Sequence, residues 1–297
     1  MSYIDSAKDR FGVQPICKVL QFAPSTYYAA KSATPSKRAQ RDEELKGKIA
    51  RVHAENFSVY GAEKLWHAMR REGTVLARCT VERLMRELGL KGARRGRGFV
   101  RTTVADDTAD RPSDLVKRDF SAKAPNRLWV ADLTYVRTRQ GWAYTSFVVD
   151  VFARMIVGWR VSSSLHAEIA TDALEQAISS RVPVPGELTH HSDRGSQYLS
   201  YRYSLRLEEA GIAPSVGSRG DSYDNALAET VNGLYKAEMV RPHGPFNGIE
   251  DLEWQALLWV DWYNNRRLHG ALGIIPPAEF ERDHYARMRL EGKPALK

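Results

Sequence analysis

The sequence predicts an α/β protein with an all-α front. A mixed five-stranded sheet with flanking helices starts near residue 123, and helical segments precede it. Three observations lead there. Hydrophobic spacing is helical before residue 92 and strand-like after Arg127. The later part orders its elements as three strands, then helix, strand, helix, strand, helix. Charge divides at the same place: residues 1–127 carry 26 Lys+Arg against 15 Asp+Glu, and residues 128–297 carry 18 against 21.

The chain's 297 residues suit two domains with a buried core, and its 43% hydrophobic and 27% charged content is that of a globular protein. The most apolar stretch, Phe147 to Trp159, is interrupted by Asp150 and Arg154, so no membrane span is expected. The N-terminus has acids where a secretion signal needs an apolar run, which implies a cytoplasmic protein. Cys17 and Cys79 belong to no Cys/His cluster, so a structural zinc is not expected and both read as buried thiols.

Residues 1–35 form a short helical segment. Val13, Ile16, Cys17 and Leu20 recur at helical spacing, and Pro24-Ser25 breaks and recaps the chain, as in a partial helix-turn-helix. Residues 41–92 hold three helical patterns. Leu45, Ile49 and Val52 mark the first; Ala62, Leu65, Trp66 and Met69 the second; Val81, Leu84, Met85 and Leu88 the third, with Thr80 as its cap. This suits a helix-turn-helix module whose last helix enters a major groove, with Arg83 and Arg86 on its outside. A plain helical bundle with a basic surface fits the same pattern. Residues 93–122 read as a basic and polar linker. Its Arg94, Arg95 and Arg97 could follow a phosphate backbone or simply be solvated.

The run L-W-V-A-D-L-T-Y-V (128–136) is apolar on both faces except at Asp132 and Thr134, so it reads as a central strand. Runs 142–152 and 155–161 follow across short connections, giving an antiparallel meander. A helix over 166–180, a strand over 187–191, a helix over 199–210, a strand at 213–217, a helix over 223–238 and an aromatic-rich helix over 250–263 complete the series. This order is that of the ribonuclease-H-like fold, in which the first and fourth strands are parallel neighbours. The domain would cover 123–285, with 286–297 as a tail.

Three carboxylates stand out. An ionised Asp132 inside an apolar strand is costly unless it is paired or binds a metal. Asp193 follows a strand in H-S-D-R-G-S, where a turn or helix-cap aspartate is the plain alternative. Glu229 lies within a helix, where a surface glutamate is equally ordinary. The fold would bring the three together, and like charges so placed need cations between them. Magnesium takes few protein carboxylates plus water and phosphate oxygens, and two ions about 4 Å apart suit in-line phosphoryl transfer. Asn225, Asn232 and Lys236 share the Glu229 face at helical spacing. Lys236 could grip a substrate phosphate or pair with an acid. Asn225 and Arg194 are further candidate DNA contacts. In W-Y-N-N-R-R-L-H (262–269), aromatics interleave with Arg266 and Arg267; this could be a nucleic-acid surface or a helix end packed into the core.

At these residues the chain resembles the OrfB-type transposase of bacterial two-frame insertion sequences, with a retroviral-integrase-like DDE core. The motifs that carry the resemblance are V-Y-G-A-E-K-L (59–65), N-R-L-W-V-A-D-L-T-Y (126–135), H-S-D-R-G-S-Q-Y (191–198), Y-D-N-A-L-A-E-T (223–230) and Y-N-N-R-R-L-H-G-A-L-G (263–273). It implies that Asp132, Asp193 and Glu229 are the catalytic, metal-binding triad, with Mg2+ or Mn2+ and two ions. It implies cleavage at the element's end and attack by the freed 3′-hydroxyl on target DNA. It also implies an upstream-frame partner or fusion, a homo-oligomer on DNA, and a bacterial, nucleoid-associated location. One departure is G-L-Y-K (233–236) where the family has a G-x-L-K ending; the lysine is kept. A nuclease that cuts without joining, and a non-catalytic DNA-binding regulator, are the alternatives.

Overall fold

A computed structural model describes residues 1–32, 34–94, 116, 120–193, 195–217 and 225–292. The chain divides into two compact units, Met1–Ala50 and Arg51–Lys297. In the first unit, α1 (Ser2–Phe11), α2 (Val13–Val19) and α3 (Pro24–Ser32) bury Ile4, Ile16, Cys17 and Tyr27 together. Gly12, at a φ of 76°, makes the sharp turn between α1 and α2. Asp5 accepts hydrogen bonds from Tyr27 Oη at 2.9 Å and Lys31 Nζ at 2.8 Å, joining α1 to α3. The sequence spacing does not anticipate α1, whose only fully buried side chain is Ile4. Helix α4 (Lys37–Glu55) crosses the division between the units.

The second unit begins with α5 (Ala62–Arg71) and α6 (Arg78–Glu87), which bury Leu65, Met69, Val81, Leu84 and Met85. Helix α6 starts at Arg78 with Ala77 as its N-cap, so Thr80 is not the cap but the third helical residue. Cys79, expected to be buried, is exposed on this first turn.

The sheet has the order β3-β2-β1-β4-β5. Its strands are β1 (Leu128–Thr138), β2 (Gly141–Asp150), β3 (Met155–Ser162), β4 (Thr189–Ser192) and β5 (Ala213–Val216). The first three pair antiparallel, and β1, β4 and β5 pair parallel. Mixed pairing in this order, with helices on both faces, is the ribonuclease-H-like arrangement that the element order predicts.

One face packs on α7 (Glu168–Arg181) and α8 (Tyr201–Glu209), with Trp129, Ala131, Val148, Val157, Leu174 and Leu207 in its core. At Gly158 a Cβ would lie 2.0 Å from the Ala173 carbonyl oxygen, so only glycine lets β3 come this close to α7. The other face packs on α9 (Ala226–Tyr235) and, beyond it, α11 (Ile249–Asn265). Helix α9 continues through a π-helical stretch, Lys236–Val240, into α10 (Arg241–His243). Phe147, Tyr235 and Trp259 stack there with ring centroids 5.0 to 6.0 Å apart. Helix α12 (Pro277–Leu290) closes the described chain. Among the described residues no helix is long and apolar enough to cross a membrane.

Candidate active site

The parallel register places the first two carboxylates side by side. Ala131 pairs with Ser192, so Asp132 and Asp193 are the next residue on each chain. Strand β4 ends at Ser192, and Asp193 turns the chain by accepting the Gly195 N–H on Oδ1 at 3.0 Å. Asp132 faces α9, because it pairs across β1–β2 with Phe147, whose ring stacks on Tyr235 of that helix.

Helix α9 brings the third. Glu229 lies in its first described turn, where the helix dipole favours a carboxylate, rather than deep in a helix as the sequence suggests. Asn232, one turn on, donates from Nδ2 to Asp132 Oδ2 at 2.9 Å, while the Leu133 N–H binds Oδ1 at 2.8 Å. Both oxygens of Asp132 are therefore held. The sequence places Asn232 on the correct face but gives no sign that its partner is Asp132.

Burial, and then the charge of Asp193, push the Asp132 carboxyl up to about 8; Glu229 adds to the rise. Glu229 is itself raised, first by burial and then by Asp193. The three carboxylates thus share one electrostatic environment, in which each resists the ionisation of its neighbours. Tyr198 lies buried against the same pair. Its phenol is raised by burial and by the charges on Asp132 and Asp193. Among those residues no three His, Cys, Asp or Glu side chains close into a ready metal cage. The donor set nonetheless suits a hard divalent cation: it is all oxygen, and its mutual repulsion is what such a cation relieves.

Lys236 is half-buried at the start of the π-helical stretch. Burial lowers its ammonium, while the Asp132 charge acts against that. Asn225, expected to contact DNA, is instead buried and donates to the Ala131 carbonyl at 2.9 Å, tying the start of α9 to β1.

Of the other expected DNA contacts, Arg86, Arg94 and Arg266 are exposed. Arg83 is half-buried and spans one turn of α6 to Glu87 at 2.7 Å. Arg95, Arg97 and Arg194 lie outside the described residues. Arg267, expected to contact DNA, is instead buried. It is 4% exposed, and its guanidinium donates to Glu238 at 2.8 and 2.6 Å. It stacks beside Trp262 and Tyr263, so the aromatic–arginine pattern here builds core and not a nucleic-acid surface. Around it, the Leu268 N–H donates to Tyr60 Oη at 2.8 Å and Trp262 Nε1 donates to Asn56 Oδ1 at 3.0 Å. These bonds join the residues before α5 to the end of α11.

Known families and relatives match most of the chain. An integrase core domain family matches residues 122–222, a second integrase core family matches 210–277, and an HTH-like domain family matches 40–98. A Mycobacterium tuberculosis protein of insertion sequence element IS986/IS6110 is 55% identical over 272 residues, covering 90% of this chain and 98% of its own length. The transposase for insertion sequence element IS629 of Shigella sonnei is 51% identical over 291 residues, covering 96% and 97%. A chain of the simian T-cell lymphotropic virus intasome overlays with a TM-score of 0.46 at 14% identity, over 78% of this chain and 74% of that one.

Proposed function

The chain belongs to the insertion-sequence transposases built on an integrase core, and on that premise we propose that Asp132, Asp193 and Glu229 are the carboxylates at which it cuts and joins DNA strands. The observation that carries this is the β1–β4 register, which sets Asp132 beside Asp193, together with the Asn232 bond that brings the Glu229 helix to the same point.

The chemistry is polynucleotidyl transfer. A divalent cation, Mg2+ or Mn2+ and in two copies, would be held by Asp132, Asp193 and Glu229 and would supply electrophilic activation of the scissile phosphate. The chain's own contribution is positional. The Leu133 N–H and Asn232 hold both Asp132 oxygens in place, so that carboxylate does not reorient as substrate binds. Asp193 sits at a strand end, its Oδ1 fixed by Gly195. Lys236, half-buried beside Asp132, presents a fixed positive charge to a phosphate oxygen. In the first step water attacks the phosphodiester at the element's end and the 3′-oxygen leaves as a hydroxyl, which then attacks a phosphodiester of the target strand and displaces its 3′-oxygen. No protein–DNA covalent bond is needed.

DNA is the substrate at both steps, as element ends and as target. The exposed arginines of the front end, Arg86 and Arg94, suit the phosphate backbone. Joining two ends to one target calls for more than one copy of the chain, and an upstream-frame protein or fusion would add end recognition. A cytoplasmic, nucleoid-associated location follows from that substrate. Incubating the protein with labelled element ends and a supercoiled plasmid tests the reading. Covalently joined products are expected, and nicked products alone would indicate a nuclease.

A further inference from the structure

The β1–β2 hairpin carries a surface that neither step above uses. On the sheet face covered by α7, the paired residues Ala131 and Val148 still belong to the buried core. Continuing outward on that face, the next pairs are Leu133 with Ser146, Tyr135 with Tyr144, and Arg137 with Trp142. Burial falls along this row. Tyr135 and Tyr144 are half-buried, Arg137 is exposed, and Trp142 is 55% exposed. The two tyrosines meet edge to face at 5.3 Å. The Arg137 guanidinium lies over the Trp142 ring at 5.2 Å. Arg139 is exposed at the hairpin's end, and no ion pair among the described residues involves Arg137 or Arg139.

A cross-strand cation–aromatic pair stabilises a hairpin, but that alone does not require two unpaired arginines beside an exposed tryptophan. The row begins one residue beyond Asp132 on β1, with its side chains on the opposite face of the sheet from that carboxylate. Tyr135 is three residues along β1 from Asp132 and Arg137 is five, which is about 10 to 17 Å of strand. Strand β4 stops opposite Ala131, so the sheet steps down where this row begins. Aromatic faces alternating with cations match a nucleic-acid strand, in which bases stack on rings and phosphates meet guanidinium groups. Bases inside a duplex already have their faces covered, so the matching ligand is an unpaired strand.

We propose that Tyr135, Arg137, Trp142, Tyr144 and Arg139 form a stacking platform for an unpaired DNA strand that leaves the carboxylate site around this open edge of β1. Arg137 fills one face of the Trp142 ring and leaves the other for a base. The platform rests on the reading of the chain as a DNA transposase, and its test is independent of the carboxylates.

The full chain, free of metal, is titrated with a labelled thymidine oligonucleotide and with a labelled blunt duplex of equal length. Trp142→Ala should weaken the single strand about tenfold and the duplex less than twofold, and Trp142→Phe should restore most of the loss. Arg137→Ala should lower the slope of log affinity against log salt by about one. Trp142 is exposed, so unchanged thermal melting confirms that the variants fold. Single-strand binding at wild-type strength in Trp142→Ala, or equal losses on both probes, would overturn the platform. Neither result bears on Asp132, Asp193 or Glu229, whose failure would appear in cleavage and not in this binding.

Discussion

Asn232 reaches from α9 to β1 and donates to Asp132 Oδ2 at 2.9 Å, so one hydrogen bond ties the helix carrying Glu229 to the strand carrying Asp132. It is a positioning bond, and removing it leaves the three carboxylates present but loosely held. Asn232→Ala is expected to lower strand cleavage about 10- to 100-fold with DNA binding intact. A variant that cleaves at the wild-type rate would show that the bond is incidental.

Cation binding should release protons. With its carboxyl pushed up to about 8, Asp132 is mostly protonated at pH 7 in the metal-free protein, and a cation must displace that proton. Calorimetric titration with Mn2+ at pH 7 in two buffers of different ionisation enthalpy should give close to one proton released, falling toward zero above pH 9. A buffer-independent enthalpy at pH 7 would contradict the shift.

The same shift has a sign for stability. The folded-state value of Asp132 lies above the unfolded one, so its contribution is fully present below about pH 4. It is lost as pH rises through about 8. Metal-free protein should therefore melt lower at pH 8.5 than at pH 6, and Asp132→Asn should remove part of that slope. Allowing for solvent access to the half-buried site, the variant should gain on the order of 1–2 kcal/mol at pH 8.5. Equal melting of the two proteins at pH 8.5 would count against this.

Arg267 and its neighbour should behave oppositely. Arg267→Ala leaves Glu238 buried without its partner and should cost about 3–5 kcal/mol by denaturant unfolding. Arg266→Ala, at an exposed site, should stay within about 0.5 kcal/mol. Similar small effects for both would mean that Arg267 is not the buried partner of Glu238.

Much of this was legible in the residues. The sheet order follows from apolar runs of strand length, and the position of Asp132 inside one of them marks a carboxylate that needs an explanation. The neighbourhood of Asp132 and Asp193 follows from the first and fourth strands being parallel. Other features depend on long-range partners that local pattern does not carry. Aromatic residues beside Arg267 fit a base-stacking surface as well as a buried cation, and what decides is Glu238, 29 positions away. Asn225 has the spacing of a DNA contact, yet its bond goes to the Ala131 carbonyl. Thr80 looks like a cap because it precedes the apolar repeat, but the helix begins two residues earlier, at Arg78.

The central claim is that Asp132, Asp193 and Glu229 share a divalent cation. Anomalous diffraction from crystals grown with Mn2+ and a DNA end tests it most directly. The account predicts manganese peaks ligated by Asp132 and Asp193, with Glu229 completing the site and Asn232 still bonded to Asp132. Manganese bound elsewhere on the chain, with these three carboxylates free of metal, would contradict it.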